Sequence, residues 1–192
     1  LSDFARTHRV TLSPGTLPIR HGGIILNTGS LFAPDGKCIA EYSKRHLFQG
    51  YLEAQLFRPG NALLQTRIHG IQTGMAVCYE FYFPKMWRKM AKAGTTLVLA
   101  PASWPKEHFF QWRVLSAARA IENGICICAV NMAGTYKDVV LGGHSRFIDP
   151  LGHVLVAAGE GEEICYAEYD EENYKDLGKK LSVVSGVVYG KQ

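Results

Sequence analysis

The sequence predicts one layered α/β domain, and three observations support this prediction. A length of 192 residues suits a single domain of ordinary size. Hydrophobic residues make up 47% of the chain and charged residues 20%, so we expect a packed core and exclude a disordered or collagen-like chain. Apolar segments occur both as paired strands and as strand–helix–strand units, which is typical of a mixed sheet covered by helices.

Two hairpins are predicted in the first half of the chain. In each, two apolar strands flank turn residues, and the first turn reads Ala33-Pro34-Asp35-Gly36. The paired strands cover residues 24–32 with 37–42, and 63–68 with 71–77. Cys78 therefore stands at the end of a strand.

Strand–helix–strand units follow Cys78. Pro84 is tolerated in a first helical turn, and Gly94 can end the helix that begins there. A second helix is predicted over residues 107–123, because five apolar residues share one of its faces. They are Phe110, Val114, Ala117, Ala118 and Ile121. The other predicted elements are strands over 95–100 and 125–130, a hairpin of 145–149 with 153–157, a strand over 163–169 and a polar helix from Asp170, with the residues beyond Ser182 unassigned.

Charge and motif content exclude several classes of protein. The 21 Lys and Arg exceed the 17 Asp and Glu by four but are scattered, so neither nucleic acid nor membrane is expected as a partner. No apolar run approaches the roughly 20 residues of a membrane-spanning helix. The five cysteines are irregularly spaced, which favours free thiols in a reducing compartment and predicts a cytoplasmic protein. Since no metal-binding or nucleotide-binding motif occurs, no metal and no cofactor are expected.

Cys78 is the first candidate for a catalytic residue, as a nucleophile. Between a strand and a helix N-terminus, free N–H groups and the helix dipole favour a thiolate and a nearby oxyanion. From this context alone, a buried core cysteine is an equally good interpretation. The seven His residues are dispersed, so Lys and Glu are the candidates for assisting a cysteine nucleophile.

Ordered segments around this cysteine resemble the nitrilase, or carbon-nitrogen hydrolase, superfamily, in its omega-amidase and Nit-like amidase branch. Residues 74–84 read Gly-Met-Ala-Val-Cys-Tyr-Glu-Phe-Tyr-Phe-Pro, and residues 42–48 read Tyr-Ser-Lys-Arg-His-Leu-Phe. Further segments similar to that family are Glu53 with 58–60, then 101–105, 118–123, 142–145 and 149–152. They keep the family's order and extend over most of the chain.

The resemblance implies an α-β-β-α sandwich of four layers with a Glu-Lys-Cys catalytic site. In that site Cys78 would attack the amide or nitrile carbon, and Lys44 would stabilise the thiolate and the tetrahedral oxyanion. The N–H of Tyr79 would donate to the same oxygen. Glu53 would pair with the lysine and position the substrate or the attacking water.

Two further residues are placed around the site by the resemblance. Trp104 is expected to line the pocket, and Glu80 is grouped with the oxyanion and substrate-binding residues, although a mainly structural role is expected for it. The resemblance also implies a homodimer or larger homo-oligomer, formed by the helices after the cysteine. The apolar residues expected at that interface are Met86, Trp87, Met90 and Trp112.

The family's general-base Glu has no match in this sequence. In the family it belongs to an N-terminal strand–helix segment, whereas residues 2–21 contain one acidic residue, Asp3, which does not match that motif. Since the chain also begins at Leu1, we expect residues 1–192 to be a single carbon-nitrogen hydrolase domain that lacks this segment. An exposed strand edge and an apolar face would then favour association.

The expected function is hydrolysis of a non-peptide carbon-nitrogen bond in a small amide. The reaction would give an acid and ammonia or an amine through a cysteine thioester. A nitrilase acting on a small nitrile is one alternative. The other is a truncated, catalytically impaired family member that acts as a binding or assembly module.

Overall fold

The computed structural model describes residues 1–50 and 52–174. The helices are α1 (Ser2–His8), α2 (Glu53–Leu56), α3 (Pro84–Lys92), α4 (Phe109–Asn123) and α5 (Glu171–Tyr174), with 3₁₀ turns over Cys78–Tyr82 and Lys106–His108. The strands are β1 (Thr16–His21), β2 (Ile24–Phe32), β3 (Cys38–Ser43), β4 (Thr66–Ile68), β5 (Ile71–Met75), β6 (Leu97–Ala102), β7 (Cys126–Asn131), β8 (Ala133–Tyr136), β9 (Val139–Gly142), β10 (Arg146–Ile148) and β11 (Val154–Ala157). Within this described part, no helix is long and apolar enough to cross a membrane.

These strands form two sheets and a separate hairpin. Strands β1, β2 and β3 make an antiparallel sheet in that order. The larger sheet has the order β11-β10-β7-β6-β5-β4, and its central strands β5, β6 and β7 run parallel. Helices α3 and α4 connect these parallel strands, because parallel neighbours need a crossover and cannot be joined by a tight turn. The hairpin consists of β8 and β9.

Two apolar cores hold the layers together. Helices α3 and α4 cover one face of the six-stranded sheet, with Trp87, Trp112 and Ile127 in the core between them. The three-stranded sheet covers the other face, where Leu31 and Met75 lie in a second core. The layers are therefore helices, sheet and sheet, with α1 beside the turn between β2 and β3.

The outward side of α4 carries the apolar residues that predict the helix. Phe110 is 73% exposed, Val114 is 47% exposed and Ile121 is 46% exposed. The buried side instead carries Trp112 and Arg119. The apolar periodicity therefore predicts the helix correctly but predicts the wrong face as the buried one.

Hydrogen bonds explain why α4 buries its more polar side. The indole N–H of Trp112 donates to the His144 carbonyl at 3.0 Å. The Nε–H of Arg119 donates to the Phe81 carbonyl at 2.8 Å, and its Nη1 donates to Glu122 at 2.7 Å. Buried polar groups are tolerated when they are hydrogen-bonded. The His144 and Phe81 carbonyls come from distant segments, whereas Glu122 belongs to α4 itself.

The expected subunit interface is wrong in its residues. Met86, Trp87, Met90 and Trp112 are each at most 2% exposed, and they fill the core beneath α3 and α4. These side chains pack between the helices and the sheet, because burying a large apolar side chain away from water stabilises the folded state. Any contact between copies through these helices must use other residues.

The local predictions agree with the structure in some segments and differ in others. The predicted strand at 24–32 has the same bounds as β2. The segment 163–169 is not a strand, and the sequence signals do not predict α1, β1 or the β8–β9 hairpin. Most residues of β1 and β8 are exposed, so these strands lack the apolar alternation by which strands are recognised. The helix expected from Asp170 is described only over α5, and the residues beyond Ser182 lie outside the described residues.

Candidate active site

A cavity of about 1130 Å³ opens at the carboxyl edge of the parallel strands. Cys78 follows β5, Ser103 follows β6 and Asn131 ends β7, and all three line this cavity. In open α/β sheets, ligands bind outside the carboxyl ends of the strands, where the connecting loops meet. The sheet topology therefore brings together residues that are far apart in the sequence.

Cys78 occupies a sharp turn between β5 and the 3₁₀ turn that it begins. Its backbone φ is 50°, in the left-handed region that residues with a side chain rarely adopt. Such a conformation costs on the order of 1–3 kcal/mol and persists mostly at functional sites. The turn places the thiol at the cavity surface.

Opposing influences act on the Cys78 thiol. Burial is the largest of them and raises its pKa, while the Lys44 charge lowers it. Hydrogen bonds from the backbone of Ser103 and Tyr79 also lower the pKa, and the Glu53 charge raises it. Burial prevails, so the pKa stays above its ordinary value and the resting group is a thiol at neutral pH.

Lys44 and Glu53 form a buried ion pair in the cavity wall. The Lys44 ammonium lies 2.9 Å and 2.8 Å from the two carboxylate oxygens of Glu53, and the two side chains are 3% and 15% exposed. The same carboxylate accepts from the Asn27 amide at 2.9 Å and from the Phe48 N–H at 2.7 Å. A buried pair with its oxygens occupied in this way holds the ammonium in place beside the thiol.

Gly60 holds the segment that follows α2 against the backbone of Ser43 and Lys44. Its N–H donates to the Lys44 carbonyl at 2.8 Å. A Cβ at this position would lie 2.1 Å from the Ser43 carbonyl oxygen, so a side chain cannot be accommodated without moving the backbone. The glycine therefore lets this segment pack directly against the end of β3.

The Glu80 carboxylate is fully buried and does not belong to the cavity lining. It accepts from the Tyr42 hydroxyl at 2.8 Å and 2.9 Å, and from the N–H groups of Arg45 at 2.8 Å, His46 at 3.1 Å and Val77 at 2.7 Å. These donors come from residues on both sides of Lys44 and from the residue before Cys78. The geometry favours the structural role for Glu80 over a contact with substrate.

Aromatic side chains form one wall of the cavity. Trp104 lines it as expected, and Tyr82 stacks on Trp104 with ring centroids 5.6 Å apart and an interplanar angle of 16°. The Tyr79 ring lies 5.4 Å from that of Tyr82. The indole N–H of Trp104 donates to the His108 carbonyl at 2.9 Å, which satisfies its polar atom. This wall offers an apolar surface beside the thiol.

The cavity lining also contains two polar residues outside the predicted site, Asn27 and Asn131. Asn131 is the one amide in the apolar strand β7, and this interruption is a signal that could identify it, whereas Asn27 is followed in β2 by the polar residues Thr28 and Ser30 and has no such signal. Asn27 binds Glu53, as described above, and Asn131 binds the backbone of Trp104. In residues 1–50 and 52–174, no group of three or more His, Cys, Asp and Glu side chains is placed to hold a metal ion.

Known proteins share both the sequence pattern and the fold. The profile of the carbon-nitrogen hydrolase family matches residues 1–178. A 2-oxoglutaramate amidase of Bacillus subtilis (strain 168) is 31% identical over 187 residues, which cover 97% of this chain and 72% of that protein.

Two solved structures extend the comparison to the fold. Nit3 of Saccharomyces cerevisiae, a member of branch 10 of the nitrilase superfamily, has a TM-score of 0.85 at 28% identity, covering 100% of this chain and 69% of that chain. A mutant amidase of Nesterenkonia sp. AN1, which carries the acetamide moiety of fluoroacetamide on its active site cysteine, has a TM-score of 0.78 at 31% identity, covering 83% of this chain and 61% of that chain. These similarities confirm the fold class that the sequence predicts.

Proposed function

The chain belongs to the carbon-nitrogen hydrolase family, and from this premise we propose that it hydrolyses a small amide through a thioester on Cys78. One observation carries the proposal: Lys44, which follows β3, lines the same cavity as Cys78 and Tyr79, which begin the turn after β5. A nucleophile, a fixed positive charge and a backbone donor are the groups that acyl transfer requires. The partner is then a small-molecule amide, and the cytoplasm remains the expected location.

The proposed reaction has two halves. In the first, the Cys78 sulfur loses its proton to a base and attacks the amide carbon, whose oxygen becomes an oxyanion. The Lys44 ammonium and the Tyr79 N–H donate to that oxygen. The nitrogen takes up a proton and leaves as ammonia or an amine, so a thioester remains. In the second half, water attacks the thioester carbon, releases the acid and restores the thiol.

The first half needs a general base, because burial raises the pKa of the Cys78 thiol. Glu53 already accepts hydrogen bonds from Lys44, Asn27 and the Phe48 N–H. We therefore assign Glu53 to holding the lysine and positioning substrate or water. The general-base Glu that the resemblance implies is not identified among the described residues.

The substrate class that we propose is an ω-amide of a small carboxylic acid. The support is the amidase from B. subtilis, whose name specifies 2-oxoglutaramate, and the amide-derived adduct of the Nesterenkonia enzyme. The full-length protein should release ammonia from amides such as glutaramate, succinamate and 2-oxoglutaramate. Faster ammonia release from the matching nitriles would favour the nitrilase alternative. No turnover of any member of the panel would favour the binding module.

We also propose a homodimer formed through the outward face of α4. Phe110, Val114 and Ile121 expose large apolar side chains there, and exposed apolar patches mark association sites. Phe110→Asp should give a monomer, because dimer formation would have to bury a carboxylate. Phe4→Asp is the control, since Phe4 is 53% exposed on a different helix and its replacement should leave the mass unchanged. Light scattering gives the molar mass of both variants and of the wild type. A monomeric wild type would overturn the proposal.

A further inference from the structure

Glu80 is a fully buried carboxyl group that the proposed reaction leaves without a role. In the part of the chain that the structure describes, its one ion-pair contact is with the Nδ1 of His46, at 3.4 Å. Burying an acidic group is costly unless its hydrogen bonds are made, so its partners show what the side chain holds.

One oxygen of this carboxylate closes the turn that carries Cys78. The Val77 N–H donates to the Glu80 Oε2 at 2.7 Å, and the Glu80 N–H donates to the Val77 carbonyl at 3.1 Å. These two hydrogen bonds enclose Cys78, whose φ of 50° persists only where the surroundings enforce it. The Val77 N–H has no other partner among the described residues, so its position depends on the Glu80 side chain.

The other oxygen binds the chain on both sides of the lysine. It accepts from the N–H groups of Arg45 at 2.8 Å and His46 at 3.1 Å. The Tyr42 hydroxyl donates to it at 2.8 Å and also reaches the first oxygen at 2.9 Å. We call residues 42–46 the lysine segment and residues 77–80 the cysteine turn. A single carboxylate therefore joins the lysine segment to the cysteine turn.

The lysine segment and the cysteine turn are otherwise anchored to different sheets. The Lys44 N–H donates to the Asn27 carbonyl of β2 at 2.8 Å, and its ammonium pairs with Glu53, whereas the cysteine turn continues from β5. Among the described residues, every hydrogen bond between the lysine segment and the cysteine turn ends on the Glu80 carboxylate. Apolar packing also joins the two sheets, but it is non-directional.

We propose that Glu80 is a positioning residue, whose carboxylate fixes the cysteine turn against the lysine segment and so sets the position of the Cys78 thiol relative to the Lys44 ammonium. The inference rests on Cys78 being the nucleophile of the proposed function. Glu80 acts through the backbone and touches no reacting atom, since it does not belong to the cavity lining. An ammonium stabilises a thiolate by an amount that falls with their separation, so a fixed position maintains the effect.

Glu80→Gln is the substitution that tests this role. Gln has nearly the same shape, but an NH₂ group replaces one oxygen and cannot accept a hydrogen bond. At the Oε2 position the NH₂ group would lose the bond from Val77, and at the Oε1 position it would lose the bonds from Arg45 and His46. Either orientation of the amide therefore breaks the connection between the lysine segment and the cysteine turn.

The readout is the pH dependence of Cys78 alkylation by iodoacetamide in the full-length protein, mapped by peptide mass spectrometry. Glu80→Gln should raise the midpoint of this profile by about one pKa unit, which is about tenfold less thiolate at a pH below the midpoint, because the thiolate loses stabilisation by Lys44. Loss of a negative charge would by itself lower the midpoint, so the sign of the shift separates position from charge. Cys128, which lines the same cavity, should keep its profile in the same samples.

The Lys44→Met background shows whether the effect of Glu80 acts through the lysine. There, Glu80→Gln should raise the Cys78 midpoint no further, because the charge whose relative position it changes is absent. An equal rise in the wild-type and Lys44→Met backgrounds would overturn the inference.

Asp149→Asn is the matched control. Asp149 is also a buried acidic residue, 5% exposed, and its Oδ1 accepts from the N–H groups of Leu151 at 2.8 Å and His153 at 2.9 Å, away from the cavity lining. Its replacement should lower the thermal midpoint, as Glu80→Gln does, but leave the Cys78 profile unchanged. If Glu80→Gln does not fold, Glu80→Asp keeps both oxygens but is one methylene too short to reach both segments, and it should shift the Cys78 midpoint in the same direction.

The outcomes separate this inference from the proposed function. An unchanged Cys78 profile in folded Glu80→Gln or Glu80→Asp would overturn the inference, even if the wild type hydrolyses amides. A raised midpoint in a protein that hydrolyses no amide would support the inference and count against the proposed function. A Cys128 profile that shifts together with that of Cys78, or an equal Cys78 shift in Asp149→Asn, would also overturn it, because either result would show a general loosening of the fold.

Discussion

Replacing Cys78 with Ala should abolish the release of ammonia from every amide that the wild-type protein hydrolyses. The sulfur forms the bond that defines the proposed intermediate, so its loss leaves only substrate positioning and oxyanion stabilisation. The expected fall in kcat is at least about 1000-fold, as is typical when a nucleophile is removed. A φ of 50° is strained for Ala as it is for Cys, so the thermal midpoint should change little.

Cys128→Ala is the matched control for this experiment. Cys128 lines the same cavity, and burial raises the pKa of its thiol as it does for Cys78. The charge of Lys44 lowers the pKa of Cys78, whereas burial is the influence resolved on Cys128. Activity should survive in Cys128→Ala. The reverse pattern, with activity lost only there, would assign the nucleophile to Cys128.

Lys44→Met should reduce kcat by about 100-fold to 1000-fold, because the oxyanion loses a charged donor that acts mainly in the transition state. The same change removes the cation that pairs with the mostly buried Glu53. Breaking a buried ion pair from one side typically lowers the free energy of unfolding by about 3–5 kcal/mol. We therefore expect slower ammonia release and a lower midpoint of thermal unfolding.

A double variant separates the two effects of Lys44. Lys44→Met with Glu53→Gln removes both charges, so the free energy of unfolding should largely recover while kcat stays low. Lys106→Met is the control, since it breaks a pair with Glu160 of the same 2.8 Å length whose side chains are exposed. Exposed pairs contribute little, and neither activity nor stability should change. Full activity in Lys44→Met would contradict the proposed mechanism.

The elements that could be predicted from the sequence are those marked by nearby residues, such as an apolar run that ends in a turn or a proline at a helix start. The strand 24–32 is recognised because it is apolar and ends in Ala33-Pro34-Asp35-Gly36, and α3 is recognised by Pro84 at its first turn. The segments without such signals, β1 and β8, are mostly exposed, and their pairing depends on neighbouring strands. In α4 the local signal identifies the helix, but its apolar stripe faces outward.

The sequence by itself determined the family and the candidate nucleophile, lysine and acid, because these rest on residue types within short segments such as 74–84 and 42–48. Only the tertiary structure decided which groups meet. It joined Lys44 to Glu53 inside the cavity wall and brought the Arg45 and His46 N–H groups, more than thirty residues away in the sequence, to Glu80. It also placed Asn131 against Trp104 across two strands. Burial and hydrogen-bond partners depend on long-range packing, and the local pattern of the chain contains no record of either.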